Sequence, residues 1–296
     1  MSNKPYKGFE PKWLLTPAPA GSYRSIFRWG DPAFFKYPKE SLYKMMKEAF
    51  HMTDDDFRDY TDDIGFDQVS LPDHPPRIAP EHLEALKKIV GEEFVTTGDY
   101  ERLSVAYGCT GYDLLRLRHK QIDSLPDVVV YPDTTEQVEE LVHYAAEHKL
   151  PLYVYGGGSS VTRGVEPIKG GISLDMRKRF NKILSFNEVD QTITVQAGLS
   201  GPALEEALQD APNRFGAKRQ YTCGHFPQSF EYSSVGGWVV TRGAGQNSTY
   251  YGTIADIVLS QKYATPIGRI VTPHYPREAT GPDLNQIMMG SVSYTH

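Results

Sequence analysis

Apolar residues recur at the three- and four-residue spacing of an α-helix in the first part of the chain. This spacing predicts helices over residues 41–50, 80–91 and 111–120, the first of them capped by Ser41. The apolar faces of the first two helices consist of Leu42, Met45, Met46, Ala49 and Phe50, and of Leu83, Leu86, Ile89 and Val90. We therefore expect residues 41–120 to form a helical region whose apolar faces pack against other parts of the protein.

The pattern changes to alternating strands and helices in the second part of the chain. Residues 127–132 contain three consecutive valines, which are β-branched, and end at Pro132, so they predict a strand. Residues 151–156 predict another strand. A helix is predicted between them, because Thr134 and Gln137 match a capping box and apolar residues follow at helical spacing. This order of strand, helix and strand indicates a parallel βαβ unit with a right-handed connection.

Several short strands and one further helix are predicted after this unit. The helix covers residues 201–211 and begins after Ser200, with Leu204, Ala207 and Leu208 on its inner face. The strands are predicted at residues 170–176, 181–189, 192–198, 255–265 and 268–273.

The chain is mildly acidic, with 296 residues and a formal net charge of -6. A nucleic-acid-binding surface needs a basic stripe, and no run of five basic residues occurs, so we expect no nucleic-acid partner. The longest apolar runs are far shorter than the ~20 residues of a membrane-spanning helix. The N-terminus lacks the apolar core of a signal peptide. We therefore expect no transmembrane segment and a cytoplasmic protein, or a peroxisomal one in a eukaryote, although no targeting signal is present.

Motifs for metal binding and hydrolysis are absent from the sequence. The two cysteines, Cys109 and Cys223, do not form a C-x-x-C pair, so neither a disulfide scaffold nor structural zinc is expected. The nine histidines show no H-E-x-x-H pattern, and no G-x-S-x-G elbow occurs. We expect no metal site and no hydrolase of these classes.

The stretch YVYGGGSSVTRG, residues 153–164, is the strongest local signal for a bound ligand. It lacks the Lys-Ser or Lys-Thr of a P-loop, and Pro167 and Gly170 interrupt the helix that a Rossmann fingerprint requires. Consecutive glycines adopt positive φ freely, so their N–H groups can converge on an anion such as a diphosphate. Ser159 and Ser160 add hydroxyl donors. The alternative is a plain surface turn.

Residues 125–164 resemble the first FAD-binding subdomain of the vanillyl-alcohol oxidase/p-cresol methylhydroxylase flavoprotein superfamily. Residues 224–259, which begin GHFPQSFEYSSVGGW, and residues 271–291 are similar to alkyldihydroxyacetonephosphate synthases. The resemblance implies an α+β, two-subdomain FAD-binding fold of the PCMH type. It places a helical N-terminal arm at residues 1–125 and the FAD-binding domain at residues 126–291.

The resemblance also implies a set of cofactor-binding residues, in four groups. The first group, for the diphosphate, is Tyr155, Gly156, Gly157, Gly158, Ser159, Ser160 and Val161. The second is Pro227, Ser229 and Ser233; the third is Thr241, Arg242, Gly243 and Ala244; the fourth, nearest the flavin ring, is Gly252 and Ile254. Arg277 matches an arginine near the family's active site and is the one candidate catalytic residue. These glycines are alternatively turn residues, and the two arginines surface charges or ion pairs.

Two positions depart from the family pattern, because Phe226 and Gln228 stand where the family has acidic residues. The flavin is expected to bind non-covalently, since no histidine lies between residues 153 and 164 to tether it. His225 lies in the second matching segment, where it either caps a loop or donates a hydrogen bond near the flavin.

The resemblance implies the exchange of an acyl group for a long-chain alcohol on dihydroxyacetone phosphate, with flavin N5 as the covalent handle and no net oxidation. It therefore implies a lipid or other small-molecule substrate, and a homodimer is a further expectation. In the family, a Glu-Gly-x-Leu-Gly run and a cap domain follow the point where this sequence ends, so we expect this chain alone to bind FAD weakly or not at all and to be inactive. Two alternatives stay open: an FAD-linked oxidoreductase of 2-hydroxy acids such as D-lactate or glycolate, and a non-catalytic interaction protein on a flavin fold.

Overall fold

A computed structural model describes residues 18–26, 40–57, 64–275, 279 and 281–290 of the chain. The described residues of Met1–Ser70 and Cys109–Ile122 form one compact unit, the first unit, and those of Leu71–Gly108 and Asp123–His296 form the second unit. The helices are α1 (Tyr23–Ile26), α2 (Glu40–Phe50), α3 (Pro80–Val90), α4 (Asp99–Ser104), α5 (Gly111–Arg118), α6 (Thr135–Glu147), α7 (Gly201–Gln209), α8 (Ala211–Phe215), α9 (Val235–Val240), α10 (Ser248–Tyr251), α11 (Ile254–Ile257) and α12 (Leu284–Met288). The strands are β1 (Val95–Thr96), β2 (Val128–Val130), β3 (Leu152–Tyr155), β4 (Ile172–Asp175), β5 (Ile183–Asn187), β6 (Thr192–Val195), β7 (Lys262–Thr265) and β8 (Gly268–Val271).

The first unit contains α1, α2 and α5, and its second helix buries a different face from the predicted one. Tyr43 is the buried residue of α2, and its ring lies 4.7 Å from that of Phe57. Leu42, Met45 and Phe50 are exposed instead. The helix begins at Glu40, so Ser41 lies inside it and does not cap it. The predicted apolar face was wrong because Tyr43, a large amphipathic residue, determines which side packs.

Four strands of the second unit form the central sheet in the order β1-β2-β4-β3. The strands β2, β4 and β3 run parallel, and β1 pairs antiparallel with β2 through Val95 and Val130. The predicted parallel direction of the two strands in the βαβ unit is confirmed, but β4 lies between β2 and β3, the strands that α6 connects. The predicted helical region thus also contributes one strand, β1, to this sheet.

The helices α3 and α6 cover one face of the sheet. Their apolar stripes meet the strands in a core that includes Leu86, Leu141, Val128 and Ile172, all fully buried. Burial of apolar side chains is the main stabilising contribution to such a core. The predictions of α3 and α6 as amphipathic helices are confirmed.

Part of the second unit packs around a second core. The antiparallel hairpin β5-β6 packs against this core through Ile183 and Phe186, whereas the antiparallel hairpin β7-β8 contacts α6. Ser200 accepts a hydrogen bond from the Ala203 amide and caps α7, as predicted. The members of this core are Leu199, Leu204, Leu208, Trp238, Val239, Ile254 and Met289.

One predicted strand is helical at its start. Residues 255–265 were predicted as a strand, but α11 covers Ile254–Ile257 and β7 begins only at Lys262. Thr253 and Asp256 form a reciprocal capping box, which favours a helical turn over an extended chain.

Within the described ranges, no helix is long and apolar enough to cross a membrane.

Candidate FAD-binding site

The glycine loop leaves the carboxyl end of the parallel sheet at Tyr155. Gly158 has φ 71, in the left-handed region that glycine adopts without strain. The backbone of Tyr232 and Ser233 lies so close to Gly157 that a Cβ there would overlap it. A Cβ on Gly156 would likewise overlap the Ser234 hydroxyl oxygen. The loop is therefore pressed against a second segment and is not a free surface turn.

Tyr155 is fixed at the start of this loop from two sides. The guanidinium of Arg177 lies 4.6 Å from the centroid of the Tyr155 ring. Asp175 holds that guanidinium through two hydrogen bonds, of 2.9 Å to Nε and 2.6 Å to Nη2. Asp175 is the strand partner of Tyr155 in β4, so sheet register brings the three side chains together. No sequence motif marks Arg177 as a residue of this site.

The remaining loop residues are placed less tightly. Ser159 and Ser160 are half-buried, and Val161 is 55% exposed. The carbonyl oxygen of Ser160 lies against Gly108, where a Cβ would overlap it. The loop therefore leaves serine hydroxyl groups accessible while its backbone is held on both sides.

The segment opposite the loop is held by its own hydrogen bonds. The Ser233 hydroxyl donates to the carbonyl oxygen of Ser229 at 2.7 Å and accepts from the Trp238 indole at 2.6 Å. The Pro227 carbonyl accepts from the Phe230 amide. These hydrogen bonds hold the backbone that faces the glycine loop. The Ser233 side chain therefore fixes the conformation of this segment.

The third and fourth predicted groups meet each other beyond α9. The amide of Gly243 donates to the Trp238 carbonyl at 2.8 Å, and the Gly243 carbonyl accepts from the Ile254 amide at 3.1 Å. Arg242 donates to the carbonyl of Gln286 at 2.8 Å, so its side chain is tied to α12. Gly252 has φ 85 and ends α10.

The other members of these groups are placed as follows. The Thr241 hydroxyl donates to the Gly237 carbonyl at 2.7 Å, and Ala244 is half-buried. Arg277, the candidate catalytic residue, lies outside the described residues. The structure thus brings the first group against Ser233, and Gly243 against Ile254, while Val161 stays exposed.

His225 is a buried residue of this region that the predicted site did not include. It is 1% exposed, and neither of its ring nitrogen atoms has a hydrogen-bond partner among the described residues. Its ring lies 4.9 Å from that of Trp238, and Nε2 lies 3.3 Å from the position of a Cβ on Gly243. Burial lowers the pKa of the His225 imidazole to about 4, so the ring is neutral at physiological pH.

These residues fit a dinucleotide cofactor. Bare backbone at three successive glycines suits a diphosphate, and an unpaired imidazole beside Gly243 can serve a polar group of the cofactor. No group of three or more His, Cys, Asp or Glu side chains in the described part of the chain is placed to hold a metal ion.

Comparison with known proteins agrees with this fit. The model of a family described as an FAD binding domain matches residues 126–273, half of the chain. The chain belongs to this family of FAD-binding flavoproteins, and FAD is its cofactor.

Among the proteins that this chain is similar to are several alkyldihydroxyacetonephosphate synthases, which are enzymes of that class. Alkyldihydroxyacetonephosphate synthase of Dictyostelium discoideum is 33% identical over 220 residues, which cover 73% of this chain and 34% of the relative. The synthase of Caenorhabditis elegans is 36% identical over 195 residues, or 64% of this chain and 31% of the relative. The chain therefore spans about a third of the length of these relatives.

Solved structures support the same fold. A structure of alkyldihydroxyacetonephosphate synthase matches with a TM-score of 0.65 and 32% identity, covering 73% of this chain and 37% of that one. A 4-ethylphenol oxidase from Gulosibacter chungangensis matches with a TM-score of 0.54 at 19% identity, which shows the fold alone. The predicted PCMH-type FAD-binding fold is confirmed.

Proposed function

We propose that this chain is the FAD-binding part of an alkyldihydroxyacetonephosphate synthase, which exchanges the acyl group of an acylated dihydroxyacetone phosphate for a long-chain alcohol. The close approach of Gly156 and Gly157 to the segment Tyr232–Ser234 carries this proposal, because both lie in the parts of the sequence that resemble the synthases. Bound FAD supplies the group-transfer chemistry, through N5 of its ring.

The residues of this chain bind and orient the cofactor. Amide groups of the glycine loop hold the diphosphate, and the serine hydroxyls next to them add donors. Arg177 and Asp175 keep Tyr155 in place at the start of the loop. His225 offers one hydrogen bond from a neutral ring, which adds no charge beside the cofactor. The cofactor is held without a covalent bond.

The first test replaces Gly157 by alanine. The added Cβ overlaps the Tyr232 carbonyl, so the loop must move away from the opposing segment and lose its fit to the diphosphate. We expect Gly157→Ala to lower FAD affinity at least tenfold, measured by quenching of flavin fluorescence and by visible absorbance of the desalted protein.

Gly164→Ala is the matched control in the same loop. No heavy atom lies within 4 Å of a Cβ at Gly164, so this variant is expected to bind FAD like the unchanged protein. Equal affinity in both variants would show that the loop does not hold the cofactor. Circular dichroism of both variants separates loss of the site from loss of the fold.

An FAD-linked oxidoreductase of 2-hydroxy acids is the second candidate. The D-lactate dehydrogenase [cytochrome] 1 of Saccharomyces cerevisiae is 28% identical over 222 residues, or 74% of this chain. D-lactate with an electron-accepting dye tests this candidate, and release of free fatty acid from an acylated dihydroxyacetone phosphate tests the first. Because this chain alone is expected to be inactive, absence of both reactions does not separate the candidates, and only activity in one of the two assays decides between them.

Partners and compartment form part of the same proposal. The substrate is an acylated dihydroxyacetone phosphate, which is a phospholipid precursor. The protein is cytoplasmic or peroxisomal, and two copies of it form a homodimer. Light scattering of the FAD-loaded protein would contradict the dimer by giving a mass near 33.3 kDa, that of one chain.

A further inference from the structure

A cluster of two histidines and one tyrosine is formed by His82 of α3, Tyr144 of α6 and His148, the C-cap residue of α6, none of them part of the FAD site. The ring centroids of His82 and His148 are 5.1 Å apart, at an interplanar angle of 61°. Tyr144 lies between them in sequence and contacts both, with centroids 5.9 Å from His82 and 4.3 Å from His148. His82 and Tyr144 are half-buried, and His148 is exposed, so the cluster is open to solvent.

The Tyr144 hydroxyl fixes the orientation of one imidazole. Its oxygen lies 2.8 Å from Nδ1 of His82. When Nδ1–H donates to this oxygen, Nε2 of His82 carries a free lone pair. Metal-binding histidines have this arrangement, because a hydrogen bond at one nitrogen directs the other towards the ion. The His148 ring has no hydrogen-bond partner among the described residues, so its nitrogen atoms are also available.

Negative charge surrounds the cluster. Burial and the nearby carboxylates of Glu81 and Glu147 raise the pKa of the Tyr144 hydroxyl. The same two charges favour any cation that enters between the rings. No Lys or Arg side chain forms an ion pair with these two carboxylates within the described ranges.

We propose that His82 and His148 together bind one divalent first-row transition metal ion, with water completing its coordination. Two imidazoles bound to one tetrahedral ion at ~2 Å from each nitrogen have ring centroids about 5 Å apart, which is the separation found here. Imidazole suits Zn²⁺ and Cu²⁺, and Cu²⁺ binds more tightly at a given site. Because only two side chains bind directly, the ion exchanges readily and differs from a closed structural zinc site.

The ion would connect two helices that cover the same face of the sheet. The helix α6 joins β2 to β3, and β3 leads into the glycine loop, so this connection stabilises the framework of the loop. Binding to the native state alone raises the unfolding temperature by mass action. The sequence predicted no metal site, because the two histidines are separated by more than sixty residues and match no motif.

The test adds Zn²⁺ to the full chain loaded with FAD and measures the unfolding temperature and the heat of binding. We expect one equivalent of Zn²⁺ to bind and to raise the unfolding temperature by several degrees. His82→Gln and His148→Gln should each weaken binding at least tenfold. His143→Gln is the matched control, an exposed histidine on the same helix, and should bind like the unchanged protein.

The proposal is overturned if Zn²⁺ causes no shift, or if the shift is the same in His82→Gln and His148→Gln as in the unchanged protein. Electron paramagnetic resonance of one equivalent of Cu²⁺ gives a second readout that does not depend on stability. Coupling to two imidazole nitrogen atoms supports the site, whereas coupling to one or none excludes it.

Two further measurements separate a bound ion from simple ring packing. Tyr144→Phe keeps the ring and removes the hydroxyl that orients His82. The affinity for Zn²⁺ should therefore fall about 10- to 100-fold. Unchanged affinity for Zn²⁺ would exclude the orienting role of Tyr144. Binding should also weaken on acidification, because protons compete with the metal ion for imidazole nitrogen. Binding that does not change with pH would rule out imidazole ligands.

Discussion

His225 shows how the environment of one side chain sets its chemistry. The imidazole is fully buried beside Trp238, and in the part of the chain that the structure describes neither ring nitrogen has a hydrogen-bond partner. A charged ring cannot be solvated in this position, which is why burial lowers its pKa to about 4. The residue is therefore a neutral hydrogen-bonding group in a region that otherwise offers mainly backbone.

This shift predicts how stability depends on pH. The pKa of His225 is lower in the folded protein than its ordinary value of 6.5, so the unfolded chain binds more protons below pH 6.5. The free energy of unfolding should thus fall as pH decreases from about 6.5 to 4, by about 2 kcal/mol between pH 7 and pH 5. Urea unfolding at several pH values measures this.

The variant His225→Phe removes the titrating group and keeps an aromatic ring. Its stability should decrease less on acidification than that of the unchanged protein, while the exposed control His143→Gln should behave like the unchanged protein. The same acid-dependent loss in His225→Phe would contradict the assignment.

At the scale of residues, the sequence correctly placed the glycine loop at the end of a strand, because β3 ends at Tyr155, while its contacts to the cofactor stay a prediction. It could not predict that Arg177 stacks on Tyr155, since that contact depends on the pairing of β3 with β4. The burial of His225 was equally hidden, because it arises from Trp238 and Gly243, which approach only when the chain folds.

At the scale of elements, α6 illustrates how a helix start is specified. The Thr134 hydroxyl accepts from the Gln137 amide at 3.2 Å, as predicted. The Gln137 side chain returns to the Asp133 amide at 2.8 Å and not to that of Thr134, so the box is displaced by one residue at this end. Two otherwise unpaired amides are satisfied in this way.

Removal of this cap is expected to lower the stability of the protein. Thr134→Ala deletes the acceptor for the Gln137 amide and should lower the free energy of unfolding by about 1 kcal/mol. Thr135→Ala is the matched control, because the neighbouring hydroxyl accepts no such bond, and it should change stability by less than about 0.5 kcal/mol. Similar losses in both variants in a denaturant titration would argue against the cap.

The helices α6 and α7, which have a side-chain cap and an apolar stripe, were predicted correctly, and so was α3, which begins at Pro80. The strand β1 has only two residues, Val95 and Thr96, and exists through its pairing with β2. No local pattern marks a strand of that length. The helical turn α11 was missed because its β-branched sequence favours a strand, whereas Thr253 and Asp256 close a capping box around it.

At the scale of the whole molecule, the division into units follows contacts that are distant in sequence. The family match begins at residue 126, where the sequence pattern also changes, whereas the second unit begins at Leu71. The reason is that α3 packs with α6 and β1 extends the sheet. We propose that the FAD-binding domain predicted at residues 126–291 uses residues 71–108 as part of its core.

The core of the second unit provides a test of this packing. Leu141 on α6 is fully buried, and Leu184 on β5 is 57% exposed. Leu141→Ala should lower the free energy of unfolding by about 2–5 kcal/mol, because it leaves a cavity between helix and sheet. Leu184→Ala removes the same atoms from the surface and should have a small effect, within about 0.5 kcal/mol. Equal effects in urea unfolding would contradict the described core.

The place of β4 between β2 and β3 has a consequence for synthesis on the ribosome. The strands β2 and β3 are made first, together with the helix that joins them, yet both pair with β4, which is made later. The parallel part of the sheet is therefore complete only after Ile172–Asp175 has left the exit tunnel. Only then do Tyr155 and Asp175 pair, so the start of the glycine loop reaches its final position after the loop itself has been made.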